Sequence, residues 1–191
     1  MSSLSDGEIR AITIGEPVAV NGQISLARYD PAWPQRFREE EVRIRAALGE
    51  RVLRLEHTGS TSVPGLAAKP IIDIVLVVAD SADEASYVPA LEAAGYVLRI
   101  REPDWHEHRC LVRRRELGHH QDVNLHVHPP DSEEIERQVV FRDWLRSHPG
   151  DTALYESTKR ELAARHWKYV QNYADAKTDV VERILARALR G

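Results

Sequence analysis

The chain has 191 residues, of which 26 are Lys or Arg and 30 Asp or Glu, giving a formal net charge of −4 at neutral pH. That balance gives no support for bulk nucleic-acid binding through a basic surface, leaving room only for a local basic patch, while a hydrophobic content of 42% is enough for a sizeable core. No apolar run reaches the length of a membrane span and the first residues lack the pattern of a secretory leader, so a cytoplasmic protein with no membrane partner is expected.

Residues 1–22 carry weak periodicity and read as a flexible or loosely docked arm. Residues 23–191 read as a single domain, with a sheet part over about 23–130 and a helical part over about 131–191. Residues 24–29 alternate as a short strand. Asp30 can cap a helix that takes Pro31 at its first position and runs through Phe37, Ile44 and Leu48 to Gly49. Residues 52–57 alternate again. Residues 71–78 are apolar on both faces, the pattern of a central strand. An amphipathic helix is expected over 81–94, stopped by Gly95. Strands follow at 96–100, 109–114 and 122–128. Beyond Pro129-Pro130 the pattern turns helical over 132–147, 152–173 and 178–189. Strands and helices mixed, then helices alone, describe an α+β (or α/β) fold with a helical cap.

Two segments carry chemistry. In the first, a run of small residues, Gly59, Ser60, Thr61 and Ser62, precedes Lys69 and a strand holding one acid, Asp73. Small residues let backbone N–H groups approach an anion, whereas a carboxylate in a buried strand needs a cation or hydrogen bonds. The pairing points to metal-assisted chemistry on a phosphorylated ligand; the plainer alternative is a loop and a hydrogen-bonded core Asp. In the second, Asp122, Asn124, His126 and His128 occupy alternate positions of DVNLHVH and so share one strand face. Imidazoles and carboxylates are metal ligands and proton carriers, although an exposed edge strand would also read this way. Their proximity to Asp73 is a topological expectation.

Weaker signals surround these. His106 and His108 lie two apart at a loop-to-strand transition. Tyr155 with Lys159, Tyr173 with Lys177, and Arg142 with Arg146 are each spaced four apart on helices, where the cations could meet phosphates or simply face solvent. The lone Cys110 excludes an internal disulfide and sits among apolar residues as a core side chain. No P-loop, dinucleotide-binding, HExxH or nucleophile-elbow motif occurs.

The segment GSTSVPGLAAKPIIDI resembles the signature of the GrpB-like family. NLHVHP is similar to that family's HLHV strand, and FRDWLRSHP, LYESTKREL and YADAKTDVVERIL resemble its C-terminal helical segments, so the likeness covers about 24–189. It implies a nucleotidyltransferase-like fold: a small mixed β-sheet flanked by helices, with a helical C-terminal region. In that superfamily a Gly-Ser pair contacts a nucleotide phosphate, while two acids spaced two apart and a third on a later strand hold magnesium. Gly59 and Ser60 match the pair and Asp73 the first acid, but Val75 stands in place of the second. Asp122 is a candidate third acid; His126 matches the family strand, and Asn124 replaces its first His. GrpB-like domains also occur joined to dephospho-CoA kinase.

The resemblance therefore implies a nucleotidyltransferase acting on a nucleoside triphosphate and an unspecified acceptor with Mg²⁺. Asp73 and His126 would be catalytic. Gly59, Ser60, Thr61, Ser62, Lys69, Lys159 and Lys177 would hold the nucleotide phosphates, and Asp73, Asp122, His126 and His128 the metal. Val75 motivates a different expectation, a non-catalytic module for a nucleotide or coenzyme A-type ligand; metal-independent binding without pyrophosphate release separates the two. A third is a transition-metal site built on His126, His128 and His106 or His108, which metal analysis of untagged protein would reveal.

Overall fold

Residues 4–190 are described by the structure, a computed structural model; residues 1–3 of the expected arm and residue 191 lie outside them. The first helix, α1 (Asp6–Ile12), opens on a capping box in which Ser5 Oγ accepts from Glu8 N and the Glu8 carboxylate accepts from Ser5 N. Ile9 anchors it in the interior. Strand β1 (Ala19–Gly22) then pairs antiparallel with β7 (Trp167–Tyr169). The segment expected as an arm thus holds a helix and a strand, and the Ser5-to-Glu8 spacing was the legible sign of the helix. Residues 24–29 form no strand; only Ala27 bridges, to Ala68.

Helix α2 (Trp33–Leu48) begins later than Asp30-Pro31 suggests, with Pro34 in its first turn. Asp30 Oδ1 instead accepts from Ala32 N, 2.9 Å away, and shapes the approach. Gly49, at φ 57°, ends the helix in a conformation that favours glycine. Strands β2 (Arg54–Thr58), β3 (Ile71–Val77), β4 (Val97–Glu102), β5 (His108–Arg113) and β6 (Asp122–His128) form one mixed sheet in the order β2-β3-β6-β5-β4. Only β3 and β6 run parallel. Helix α3 (Val88–Ala93) is shorter than the 81–94 pattern predicts. Pro89 lies in its first turn; it has no N–H to bond the Ala85 carbonyl and its ring would clash with that carbonyl, so the helix does not continue back through residues 84–86.

Helices α4 (Glu133–Ser147) and α5 (Pro149–Ala163) follow. The helix expected over 152–173 is broken by β7, whose aromatic residues pair with β1, and resumes as α6 (Val170–Asp175) before α7 (Thr178–Ala188). A fold class of mixed sheet flanked by helices results.

The two faces of the sheet differ. Ile72, Ile74, Leu76, Val123, Leu125 and Val127 point to one side and pack with Trp33, Ile44 and Leu91 of α2 and α3 in the main core. Burial of each such side chain contributes roughly 1.5–3 kcal/mol. The opposite face carries Asp73, Val75 and Val77 of β3 beside Asn124, His126 and His128 of β6. Val75 and Val77 pack there on Ile135 of α4.

His57, on β2, links sheet and turn. Its ring stacks on Phe37 with centroids 4.9 Å apart, and its Nε2 lies 3.0 Å from Thr61 Oγ1. Burial pushes its pKa down to about 4. The folded state therefore binds fewer protons than the unfolded state between pH 4 and 6.5, so this stabilisation is complete above about pH 6.5 and is lost as pH falls toward 4. The shift corresponds to about 3 kcal/mol. Urea titrations at pH 7.5 and 4.5 are expected to show a larger loss for the wild type than for His57→Leu; equal losses would assign the pH dependence elsewhere.

Candidate functional site

The polar face leaves Asp73 and His126 partly exposed beside the turn that Lys159 of α5 engages, and the floor of this cleft is set by strand register. Asp73 lies opposite Asn124, Val75 opposite His126, and Val77 opposite His128. On the other side of β6, Cys110 lies opposite His126, and on the far edge Glu102 pairs with His108. One polar patch is thus drawn from four strands.

Asp73 is its centre. Oδ1 accepts from Asn124 Nδ2 at 2.7 Å and lies 3.8 Å from His126 Nε2. Arg114 donates to the Asn124 side-chain oxygen at 2.6 Å and so orients that amide. Burial acts to raise the Asp73 pKa, but the His126 contact, the Lys69 charge and the Asn124 amide outweigh it and hold the carboxyl below its ordinary value. The side chain remains 30% exposed toward the cleft.

The turn above Asp73 depends on Gly59. Its φ of 64° and ψ of −175° belong to a region essentially reserved for glycine. A Cβ there would also lie 2.3 Å from Asp73 Oδ2, so the turn and the carboxylate can approach only because the side chain is absent. Ser60 faces α5, where Lys159 Nζ donates to its Oγ at 2.9 Å and to the Ala67 carbonyl. Thr61 and Ser62 face inward instead. Thr61 Oγ1 donates to the Ile71 carbonyl and Ser62 Oγ to the Gly59 carbonyl, so both hydroxyls brace the turn rather than reach the cleft.

Three lysines converge on this site. Lys159 is 2% exposed, and burial pushes its pKa down to about 7. Burial also lowers Lys69 to about 8, with the charge of Lys177 acting in the same direction. Lys177 sits 4.8 Å over the Tyr173 ring and is likewise lowered by burial, partly offset by Asp73. Among the described residues neither Lys69 nor Lys177 has a carboxylate within ion-pair distance.

The other expected ligands lie elsewhere. Asp122 accepts from the backbone and guanidinium of Arg115 and holds the turn after β5. His128 is fully buried, with Nδ1 3.3 Å from Ser132 Oγ. Burial lowers its pKa to about 3. His108 Nε2 meets His126 Nδ1 at 3.0 Å, and Trp105 packs edge-on to His108. The imidazole nitrogens therefore face one another rather than a common ion, and among the described residues no group of three or more His, Cys, Asp or Glu is placed to hold a metal.

This donor set does not fit magnesium. The ion requires several hard oxygen ligands in octahedral array, whereas beside the turn there is one carboxylate, Asp73, with the apolar Val75 next along its strand and lysines around it; Glu102 lies on the far strand, engaged by His108. A groove of about 580 Å³ lies outside the turn, between Pro64, Arg146, Thr152 and Arg160, and shares none of this chemistry. Glu102 and His108 are the site residues that sequence reading missed or placed loosely. The alternation of WHEHR was a partial sign for His108; nothing marked Glu102.

Comparison with known proteins identifies relatives across nearly the whole chain. The family model described as GrpB protein matches residues 23–187. A UPF0157 protein from Halalkalibacterium halodurans is 53% identical over 184 residues, covering 96% of this chain and 92% of that protein. A crystal structure of conserved protein GrpB from Enterococcus faecalis superposes with a TM-score of 0.75 at 31% identity, covering 87% of this chain and 98% of that one. A protein named dephospho-CoA kinase from Mycolicibacterium paratuberculosis is 29% identical over 167 residues, which span 74% of this chain and 40% of that protein. No helix among the described residues is long and apolar enough to cross a membrane.

Proposed function

The chain belongs to the GrpB family, a nucleotidyltransferase-like family, and from that premise we propose that its cleft binds the phosphate of a nucleotide or coenzyme A-type ligand without requiring a metal. The observation that carries this reading is the pair Lys69 and Lys177. Both are half-buried, burial lowers the pKa of each, the charge of Lys177 lowers that of Lys69 further, and among the described residues neither is neutralised by an ion pair. Desolvated like charges are held at a cost, and a phosphate lying between them would relieve it. Gly59 and Ser60 would border that phosphate, with Lys159 fixing the Ser60 hydroxyl. The likeness to dephospho-CoA kinase supports a coenzyme A-type ligand by analogy alone.

Calorimetric titration with ATP, GTP and coenzyme A, each with and without Mg²⁺, tests the proposal. Binding is expected in the absence of metal. Lys69→Met and Lys177→Met should each weaken it about 10- to 100-fold, because a hydrogen bond to a charged group contributes roughly 1.5–3 kcal/mol. Failure of the wild type to bind any of the three would remove this reading.

Nucleotidyl transfer retains one observation in its favour, the contact of His126 with Asp73 beside the turn. Release of pyrophosphate from a nucleoside triphosphate, abolished by Asp73→Ala and His126→Ala, would establish it.

A further inference from the structure

The rings of His108 and His126 are inclined by 19° with centroids 5.2 Å apart, while His108 Nε2 and His126 Nδ1 are separated by 3.0 Å. Nearly coplanar rings at that separation meet edge to edge and share an in-plane hydrogen bond, so one nitrogen donates and the other accepts. On its other side, His108 Nδ1 lies 2.6 Å from Glu102 Oε2. Burial pushes the His108 pKa down to about 2, so its ring is neutral and carries one N–H.

An ionised carboxylate can only accept. Beside ionised Glu102, His108 donates from Nδ1, and its Nε2 is left as an acceptor. His126 must then donate from Nδ1. When His126 is protonated, its Nε2–H faces Asp73 and holds that carboxyl low; when it is neutral, its lone pair is at Nε2, 3.8 Å from Asp73 Oδ1. Two acceptors facing each other across that distance form no mutual hydrogen bond, but both can accept from a donor that enters beside them.

We infer that Glu102 and His108 are positioning residues that hold neutral His126 in its Nδ1–H tautomer, turning Nε2 toward Asp73 so that the two acceptors receive a hydroxyl or ammonium group of the ligand. The identity of the occupant as part of a phosphorylated molecule rests on the proposed function; the tautomer does not. The Asn124 and Arg114 hydrogen bonds steady the carboxylate half of the pair. Burial raises the Glu102 pKa, with His126 acting against it. Protonated Glu102 would run the chain in reverse and place the N–H on His126 Nε2. The two directions are spectroscopically distinct.

Long-range ¹H–¹⁵N correlation spectra of ligand-free, ¹⁵N-labelled protein at pH 8 report which ring nitrogen carries the proton, with His126 assigned by its loss in His126→Gln. The wild type is expected to show Nδ1–H. Glu102→Leu and, independently, His108→Phe should shift His126 toward the Nε2–H form that a free imidazole prefers. An Nε2–H form in the wild type overturns the inference, as does an unchanged tautomer in either variant that keeps the wild-type circular dichroism spectrum. Should neither variant fold, the wild-type spectrum decides. No ligand is present in this experiment, so a negative titration with ATP, GTP and coenzyme A would defeat the proposed function and leave this result standing.

Discussion

Glu40→Ala is expected to lower the unfolding free energy by about 3–5 kcal/mol, the range for removing one partner of a buried ion pair. Glu40 lies on the inner face of α2, and its side chain is 5% exposed. One carboxylate oxygen is 3.0 Å from Arg113 Nη1, and the other accepts from the Tyr96 hydroxyl. Arg113 is itself only 7% exposed, and its Nε already has no hydrogen-bond partner. Truncation would leave a guanidinium and a phenol buried together without an acceptor. Burial also raises the Tyr96 pKa, which keeps the phenol protonated as a donor to Glu40. Urea titration at pH 7 measures the loss, and a value under about 1 kcal/mol would show that solvent reaches Arg113 in the folded state. Combining Glu40→Leu with Arg113→Met should recover much of the stability, because apolar replacement of a complete buried pair is often neutral or favourable. The network ties α2 to β5 on the side of the sheet away from the cleft, so ligand affinity of the double variant should remain near that of the wild type.

Gly59→Ala is expected to cost both stability and binding. The backbone conformation at Gly59 strains any other residue by about 1–3 kcal/mol. The new methyl would meet Asp73, with Cβ 2.3 Å from Oδ2, and overpacking of this kind costs about 1–3 kcal/mol more. The conflict can be relieved in two ways. Either the turn lifts and carries Ser60 away from Lys159, or the carboxylate rotates away from Asn124. Both change the cleft. A fall in stability of about 2–6 kcal/mol by urea titration, together with loss of calorimetric ATP or coenzyme A binding, is the expected result. Retention of both would mean that the turn is not seated on Asp73 as described.

Much of the cleft could be read from the chain, and the reasons differ by residue. Alternation in DVNLHVH placed Asn124, His126 and His128 on one face because a strand has a period of two, and β6 does lie beside β3. The same rule placed Asp122 on that face but could not foresee that Arg115, on the adjoining turn, would engage it. The small-residue run located the turn, yet composition could not tell Ser60, which faces α5, from Thr61 and Ser62, whose hydroxyls turn inward. Glu102 was illegible because its meaning depends on its pairing with His108, a tertiary fact. The strand at Trp167 was missed for a similar reason. Its partner is Ala19–Gly22, nearly the length of the chain away, and helical periodicity on both sides hid it.

The polar track from Glu102 through His108 and His126 to Asp73 runs diagonally over β4, β5, β6 and β3, and no two of its members share a strand. Side chains alternate between faces, so a slip of one residue in any pairing would send a member of the track to the side occupied by Trp33 and Ile44. An imidazole or carboxylate delivered into that apolar core would be penalised strongly. The track thus acts as a registration key for the sheet. Misaligned pairings are penalised by the polar groups that ligand binding would use, and the correct alignment is the one that gathers them on the open face. A chain selected only for that alignment would retain these groups even after its ligand had been lost.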